Sequence, residues 1–287
     1  MFEIVKNYRD DAALRSSFNA LAEKTFGLNF EGWYQNGFWG ENYNPYSVVM
    51  DGAVVANVSL NRTDMLIDGQ RKRIYQLGTV MTEEKYRNRG LIRAIMAEIE
   101  KDTAGADGIY LFGNDSVVEF YPKFGFRKGK EYLYSKNVNQ AGPCRFENVP
   151  MGSKEEWAVL AKAMVENNVH GGCDMMGNPE LIFFYVSQFM QKCVYYCKAL
   201  DAWVIAEIED GNLLLHNVFS KEMTTLDEIV RAFGGGIREV TLGFAPGDDT
   251  DFEKTEYHED DCTFFVKGDV FKAFEEKNLR IPSLSHA

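Results

Sequence analysis

The residues most suited to chemistry cluster in one short stretch, EEKYRNRGLIRAIM, at positions 83–96. Arg87, Arg89 and Gly90 stand directly before apolar residues at helical spacing. The first turn of a helix leaves backbone N–H groups unpaired and carries about half a positive charge. A glycine lets a ligand approach the backbone, and with two guanidinium groups beside it the helix start can bind a pyrophosphate. The residues alone leave a second interpretation open, a capped surface turn whose arginines pair with Glu83 or Glu84.

The surrounding sequence favours the first interpretation. The stretch GTVMTEEKYRNRGLIRAIMAEI, residues 78–99, resembles motif A of the GNAT acyltransferase family, in which a strand leads into Arg/Gln-x-x-Gly-x-Gly/Ala at the start of a helix. Ile92 stands where that motif has a small residue, and Gly-Leu-Ile-Arg-Ala resembles the enhanced-intracellular-survival branch of the family. A second stretch, NDSVVEFYPKFGF at 114–126, resembles motif B of the family.

The resemblance implies that acetyl-CoA lies between the strand ending at residues 80–82 and the strand at 109–112. Backbone groups of the first strand would hold the pantetheine arm, the loop and helix start would hold the pyrophosphate, and Asn114 would contact CoA, with a plain helix cap as its alternative. The candidate cofactor-binding residues are therefore Val80, Met81, Thr82, Arg87, Asn88, Arg89, Gly90, Leu91, Ile92 and Asn114.

Tyr121 is the candidate general acid that the resemblance implies. A thiol has a pKa near ~8.5 and a phenol one near ~10, so a tyrosine can protonate the departing CoA thiolate. Its alternative is a core aromatic residue like Phe120 or Phe126.

No side chain stands out as the general base that would take the proton of an amine acceptor. Glu31, Glu41 and the acidic residues between 248 and 261 qualify if they face the cleft. In the resembling branch the C-terminal carboxylate has this role, which here would fall to Ala287 at the end of RIPSLSHA. A frayed terminus is the alternative.

An aromatic segment lies where GNAT folds form the acceptor side of the cleft. Such rings can bind an amine by cation–π contact, and packing between two halves of the chain explains them equally well. The residues are Phe30, Trp33, Tyr34, Phe38 and Trp39.

The elements that position these residues follow a repeated order. Helical spacing predicts helices at 10–26 and 91–102, and Asp-Gly pairs at 51–52, 68–69 and 210–211 predict hairpins. A short helix stopped near Pro122 and closing strands within 125–138 complete the first unit. Helices, a meander, a helix and a strand recur after residue 140. We therefore predict a mixed α/β, α+β-like chain: a GNAT domain at 1–140 and a degenerate, acidic GNAT-like domain at 141–287.

Composition narrows the function further. The first 140 residues hold 18 basic and 18 acidic residues, whereas the rest hold 13 and 25, so the whole net charge of −12 lies in the second half. Such a surface disfavours nucleic acid and favours a cationic ligand or simply solubility. The start of the chain has no signal-peptide pattern, and no stretch approaches the ~18 apolar residues of a membrane helix. Five scattered cysteines favour small buried apolar roles in a reducing, cytoplasmic setting over a metal site.

The leading interpretation is an acetyl-CoA-dependent N-acetyltransferase without a metal, acting on an amine of a small molecule or peptide. A non-catalytic acyl-CoA sensor or interaction module is the alternative, and a scaffold without CoA binding is the third. The sequence leaves the acceptor and the oligomeric state open, a homo-oligomer included.

Overall fold

The computed structural model describes residues 2–67, 69–139, 142–143, 145–167, 170–222 and 224–286. Strands and helices are numbered below in chain order. The mixed α/β class predicted from the sequence is confirmed: the architecture consists of two seven-stranded sheets, a small three-stranded sheet and helices packed against them.

The first sheet holds the strands around the basic loop. The Asp51-Gly52 turn joins its second and third strands, as predicted, with φ of +52° and +76° at the two residues. In spatial order the strands are β1 (Glu3–Lys6), β2 (Tyr43–Met50), β3 (Ala53–Arg62), β6 (Ile74–Thr82), β7 (Gly108–Gly113), β17 (Thr263–Lys267) and β8 (Arg127–Lys128).

The second sheet repeats this plan. In both sheets an antiparallel hairpin leads through a helix to a parallel neighbour, β6 to β7 in the first and β14 to β15 in the second. The order is β10 (Glu147–Asn148), β12 (Val194–Cys197), β13 (Ala202–Glu209), β14 (Asn212–Ser220), β15 (Glu239–Leu242), β9 (Glu131–Asn137) and β16 (Glu253–Tyr257). The small sheet contains β11 (Cys173–Met175), β4 (Met65–Ile67) and β5 (Gln70–Lys72); Asp68, half of the predicted 68–69 turn, lies outside the described residues.

The two sheets exchange a strand. β9 leaves the first half of the chain and pairs with β15 and β16, whereas β17 returns from the end of the chain and pairs with β7 and β8. The prediction that residues 125–138 close the first sheet is therefore wrong for β9. Local sequence marks a segment as a strand but does not specify which sheet edge it joins. A division at residue 140 does not coincide with the two sheets.

The helices begin and end near their predicted positions. Asp11 caps the first by accepting from the N–H groups of Ala13 and Leu14 at 2.9 and 3.0 Å. None of the helices in the described ranges has the length and apolar character needed to cross a bilayer. They are α1 (Ala12–Phe26), α2 (Glu31–Gln35), α3 (Leu91–Asp102), α4 (Lys154–Val165), α5 (Pro179–Gln188), α6 (Leu226–Ala232) and α7 (Val270–Glu276).

The helix expected before Pro122 differs from the prediction. Two 3₁₀ turns, Asp115–Val117 and Tyr121–Phe124, replace it, and the proline sits inside the second turn. Proline is tolerated there because the first residues of a helical turn need no N–H donor.

Candidate functional site

Two parallel strands separate to form the main cavity. β6 pairs with β7 from Ile74 to Leu77 only, while its other edge stays paired with β3 as far as Thr82. Thr79 interrupts that second pairing with a φ of +49°, a bulge that turns the following residues away from β7. The resulting cavity has a volume of about 800 Å³ and is lined by both strands. One edge of β6 is therefore free to hydrogen-bond an extended ligand there.

A buried polar network holds the bulge in place. The Asn57 side-chain amide donates to the carbonyl oxygen of Thr79 at 2.8 Å, and its oxygen accepts from Ser47 at 2.9 Å. Ser47 is 2.7 Å from the Tyr8 hydroxyl, and Asn57 also donates to Ser59 at 3.0 Å. Asn57 is fully buried and joins three of these groups, the Ser47 hydroxyl, the Ser59 hydroxyl and the Thr79 carbonyl, through one side chain.

We expect Asn57→Leu to lower the free energy of unfolding by about 2–4 kcal/mol, because it removes three buried hydrogen bonds. Acetyl-CoA affinity should fall together with stability, since the Thr79 bulge shapes the cavity. Thermal denaturation and isothermal titration with acetyl-CoA measure the two effects. Asn36→Leu, which removes an exposed amide directly after α2, is the control. Unchanged affinity in a folded Asn57→Leu protein would contradict this role of the bulge.

The basic loop leads from β6 into α3. Asn88 and Gly90 both have positive φ, +61° and +74°, and Gly90 caps α3 without a side chain. A Cβ on Gly90 would meet no atom within 4 Å, so the glycine is required by its backbone conformation rather than by space. The first N–H groups of α3 therefore have no side-chain cap competing for them.

The alternative of arginines paired with neighbouring glutamates is not what the structure shows. Glu83 pairs with Lys24 at 2.7 Å. Within the described residues neither Arg87 nor Arg89 forms an ion pair; Arg87 donates weakly to the Thr82 carbonyl at 3.4 Å, and Arg89 donates to the Lys85 carbonyl at 3.0 Å. Both guanidinium groups keep donors available for an anion.

Tyr121 lies at the end of the cavity formed by β7. The Tyr121 ring packs against Phe265. A Cβ atom on Gly113 would lie 2.6 Å from this ring, so the ring can occupy this position only because residue 113 is a glycine. Burial raises the pKa of Tyr121 to about 12. Its hydroxyl makes no hydrogen bond to the part of the chain that the structure describes, and the residue lines the cavity. A protonated, unengaged phenol at this place can donate to a ligand.

Asn114 does not cap a helix in the way one interpretation proposed. It precedes the first 3₁₀ turn but makes no capping bond, and its amide donates to the Asp261 carboxylate at 3.0 Å. The side chain still lines the cavity. Its position is thus fixed by a residue of the second half of the chain.

The structure brings most of the predicted cofactor residues to the cavity wall. Arg89, Gly90 and Leu91 do not line it: Leu91 is the buried first residue of α3, and the other two lie in the loop before that helix. The predicted residues that do line it are Val80, Met81, Thr82, Arg87, Asn88, Ile92, Asn114 and Tyr121.

The aromatic segment has two environments. Phe30 and Trp33 line the cavity and also pack on Phe184 of α5, with Phe30 stacked at 5.1 Å between ring centroids. Phe38 packs against Trp157 instead and does not line the cavity. Phe30 and Trp33 therefore have both expected roles: they pack against the second half of the chain and form part of the cavity wall.

None of the described side-chain carboxylates considered as a base lines the cavity. Glu31 pairs with Arg15 at 2.8 Å, and Glu41 pairs with Arg9. Among the described residues the cavity lining contains no aspartate, glutamate, histidine or lysine. A base must therefore come from elsewhere in the chain or from water.

The C-terminal tail, residues 278–286, is docked rather than frayed. Tyr110 of β7 donates to the Ser285 carbonyl at 2.7 Å, and Leu284 is buried. The His286 ring stacks on Phe112 with 3.8 Å between centroids, and Phe112 lines the cavity. Ala287 lies outside the described residues. The sequence placed the strand at 109–112 beside the cofactor but did not predict the stack of His286 on Phe112, because no local pattern signals a contact between a terminus and a distant strand.

Residues 15–129 match the family model described as "Acetyltransferase (GNAT) domain". These residues form a GNAT acetyltransferase domain. The domain makes the protein an acyltransferase that uses acetyl-CoA as its co-substrate. No curated protein is significantly similar in sequence to the chain.

Solved structures share the fold over nearly the whole chain. A probable N-acyltransferase from Enterococcus faecalis has a TM-score of 0.62 and 15% identity, covering 96% of this chain and 75% of that one. Eis1 from Mycobacterium abscessus has a TM-score of 0.56 and 14% identity, with 92% and 73% covered. A GCN5-related N-acetyltransferase from Anabaena variabilis has a TM-score of 0.57 and 14% identity, covering 93% of this chain and 72% of that one. The GNAT domain therefore lies within a larger shared fold that includes the second sheet.

Acetyl-CoA suits the residues that line the cavity. The free edge of β6 from Gly78 to Thr82 can pair with the amides of an extended arm, as one strand pairs with another. The start of α3 and Arg87 supply the positive charge that a pyrophosphate needs. In the ranges described, no three His, Cys, Asp or Glu side chains are grouped to hold a metal ion.

Proposed function

We propose that the protein transfers the acetyl group of acetyl-CoA directly to a primary amine of a small molecule or peptide, with Tyr121 as general acid. The observation that carries the proposal is the position of the Tyr121 phenol, which lines the cavity, is protonated and makes no hydrogen bond to the described residues. Val80, Met81 and Thr82 would hold the extended arm. The pyrophosphate would bind at the loop from Arg87 to Ile92, and Asn114 would complete the wall.

The proposed step balances in atoms and charge. The amine nitrogen forms a bond to the acetyl carbonyl carbon, and the carbon–sulfur bond breaks. The Tyr121 hydroxyl gives its proton to the departing thiolate, and the nitrogen loses one proton to a base. We assign that base to the carboxylate of Ala287, because the docked tail brings the preceding residue, His286, against Phe112 at the cavity wall and the described cavity lining contains no aspartate, glutamate, histidine or lysine.

The same lack of a base side chain favours a second candidate, a non-catalytic acyl-CoA sensor. Such a protein would keep the cavity and the basic loop but would turn over no acceptor. The two candidates differ in one observable, amine-dependent release of CoA.

The deciding experiment measures CoA release from acetyl-CoA with a thiol dye, against a panel of polyamines, aminoglycosides, amino acids and peptides. The enzyme is kept at catalytic amounts, because its own five cysteines react with the dye. Amine-dependent release supports the transferase. Acetyl-CoA binding without stimulation by any amine would favour the sensor. We further propose a cytoplasmic location and an acceptor other than nucleic acid, consistent with the net charge of −12.

The two loop arginines should contribute unequally. Arg87 lines the cavity, whereas Arg89 lies outside its lining with its guanidinium 5.2 Å from the Tyr86 ring centroid. We expect Arg87→Ala to raise the Kd for CoA about 10–150-fold, because one charge-assisted hydrogen bond is worth about 1.5–3 kcal/mol. Arg89→Ala should raise it less. Titration calorimetry at two salt concentrations measures both, and equal effects would argue against this assignment.

A further inference from the structure

The C-terminal tail is held by polar groups from both sheets. The Ile281 N–H donates to the buried carboxylate of Glu131 at 2.8 Å, and Tyr134 donates to the Asn278 carbonyl at 2.8 Å. Both of these partners belong to β9, the strand that crosses into the second sheet. The tail then reaches Tyr110 and Phe112 of the first sheet. The β9 contacts hold residues 278 and 281, and the β7 contacts hold residues 285 and 286. Ser283 lies between them, and its contact determines where the last residues lie.

That contact is a chain of three side chains centred on His216 of β14. The His216 Nδ1 atom is 2.7 Å from the Ser283 hydroxyl, and its Nε2 atom is 2.8 Å from a carboxylate oxygen of Glu207 on β13. His216 is 7% exposed, so both ring nitrogens find their partners within the protein. The Ser283 N–H also donates to the Gly243 carbonyl at 2.7 Å. The imidazole is thus fixed on one side and holds the tail on the other.

The fit around Ser283 leaves little freedom. A Cβ on Gly243 would lie 2.4 Å from the Ser283 hydroxyl, so the neighbouring strand end is shaped to accept it. The charged and titratable groups that act on His216 are Glu207, Arg280 and His286, and burial is the largest influence, lowering the pKa of His216. The ring therefore holds Ser283 mainly as a neutral hydrogen-bonding group at neutral pH.

We propose that His216, braced by Glu207, is a positioning residue for acyl transfer, because it fixes the tail through Ser283 and thereby keeps His286 against Phe112 at the cavity. The inference rests on the proposed function. Three residue steps separate Ser283 from His286, so a released tail can move its last residues by as much as about 10 Å. A misplacement of about 1 Å can already cost about 10²-fold in rate.

Two substitutions at one position separate the two contacts. The side-chain amide of asparagine is as many bonds from Cα as the Nδ1 atom of histidine, so it can replace that atom. The amide of glutamine is one bond longer and can replace the Nε2 atom. His216→Asn can keep the bond to Ser283, whereas His216→Gln keeps the one to Glu207 and loses Ser283. We expect His216→Gln and Ser283→Ala to lower kcat about 10–100-fold with an unchanged KM for acetyl-CoA. His216→Asn should stay within about threefold of the wild type.

Hydrogen exchange of the peptide covering residues 278–287, followed by mass spectrometry, reports tail docking without any acceptor. It should accelerate in His216→Gln and Ser283→Ala. Ser220→Ala is the matched control and should change neither readout. It breaks a similar serine–histidine contact, 2.9 Å to His170, and Ser220 makes no hydrogen bond to the described tail residues. A freed tail with wild-type kcat, or an unchanged tail in both variants, would overturn the inference. If the wild type transfers acetyl to no amine, the proposed function itself fails, and the exchange data still show whether His216 holds the tail.

Discussion

Replacing Tyr121 by phenylalanine is expected to lower kcat by about 10²–10⁴-fold, the range that a positioned general acid contributes. The substitution removes only the hydroxyl, which makes no hydrogen bond within the described chain, so the packing against Phe265 should persist. The KM for acetyl-CoA should change little. Steady-state kinetics with an acceptor identified in the amine panel provide the measurement. Folding is checked by thermal denaturation, where the melting temperature should stay near that of the wild type.

The control for this variant is Tyr46→Phe in the same sheet. The Tyr46 hydroxyl donates to Asp102 at 2.8 Å and does not line the cavity, so its loss should leave kcat unchanged. Because burial raises the pKa of Tyr121 to about 12, the phenol stays protonated through the neutral and mildly alkaline range. The wild-type rate should therefore show no loss from Tyr121 ionisation below about pH 11. A Tyr121→Phe enzyme with wild-type kcat would rule out the acid role.

Deletion of Ser283–Ala287 is the second large effect that we expect. It removes the proposed base, the His216 contact and the stack on Phe112 together, so kcat should fall by at least about 10²-fold. Leu284 is buried, and its loss should also lower the melting temperature. Binding of acetyl-CoA should survive, because the β6 edge and the basic loop are untouched. Unchanged turnover would exclude a catalytic role for the tail.

A gentler variant separates the carboxylate from the docking of the tail. Adding two glycines after Ala287 keeps residues 278–286 intact but moves the terminal carboxylate by about 7 Å. If the carboxylate is the base, kcat should fall with no change in tail hydrogen exchange. If docking alone matters, the extended protein should turn over like the wild type.

The sequence alone determined the local features of the cofactor side. Asn88, Arg89 and Gly90 before an apolar helical repeat predicted the loop and the start of α3, because capping and helical spacing are properties of neighbouring residues. The Asp-Gly turns at 51–52 and 210–211 are confirmed for the same reason, as is the helix predicted at 10–26, which runs from Ala12 to Phe26. The predicted short helix before Pro122 was wrong, since its residues support 3₁₀ turns equally well.

Tertiary structure alone decided how the two halves are connected and what surrounds the reaction. The exchange of β9 and β17 depends on which sheet edges are free, and that is settled by contacts between residues more than 100 positions apart. Tertiary structure also decided the contact of His216 with Ser283 and that of Phe112 with His286. The two residues of each pair are 67 or more positions apart in the sequence. Spacing in sequence encodes periodicity within one element, whereas these contacts arise only when the packing of apolar faces brings distant elements together.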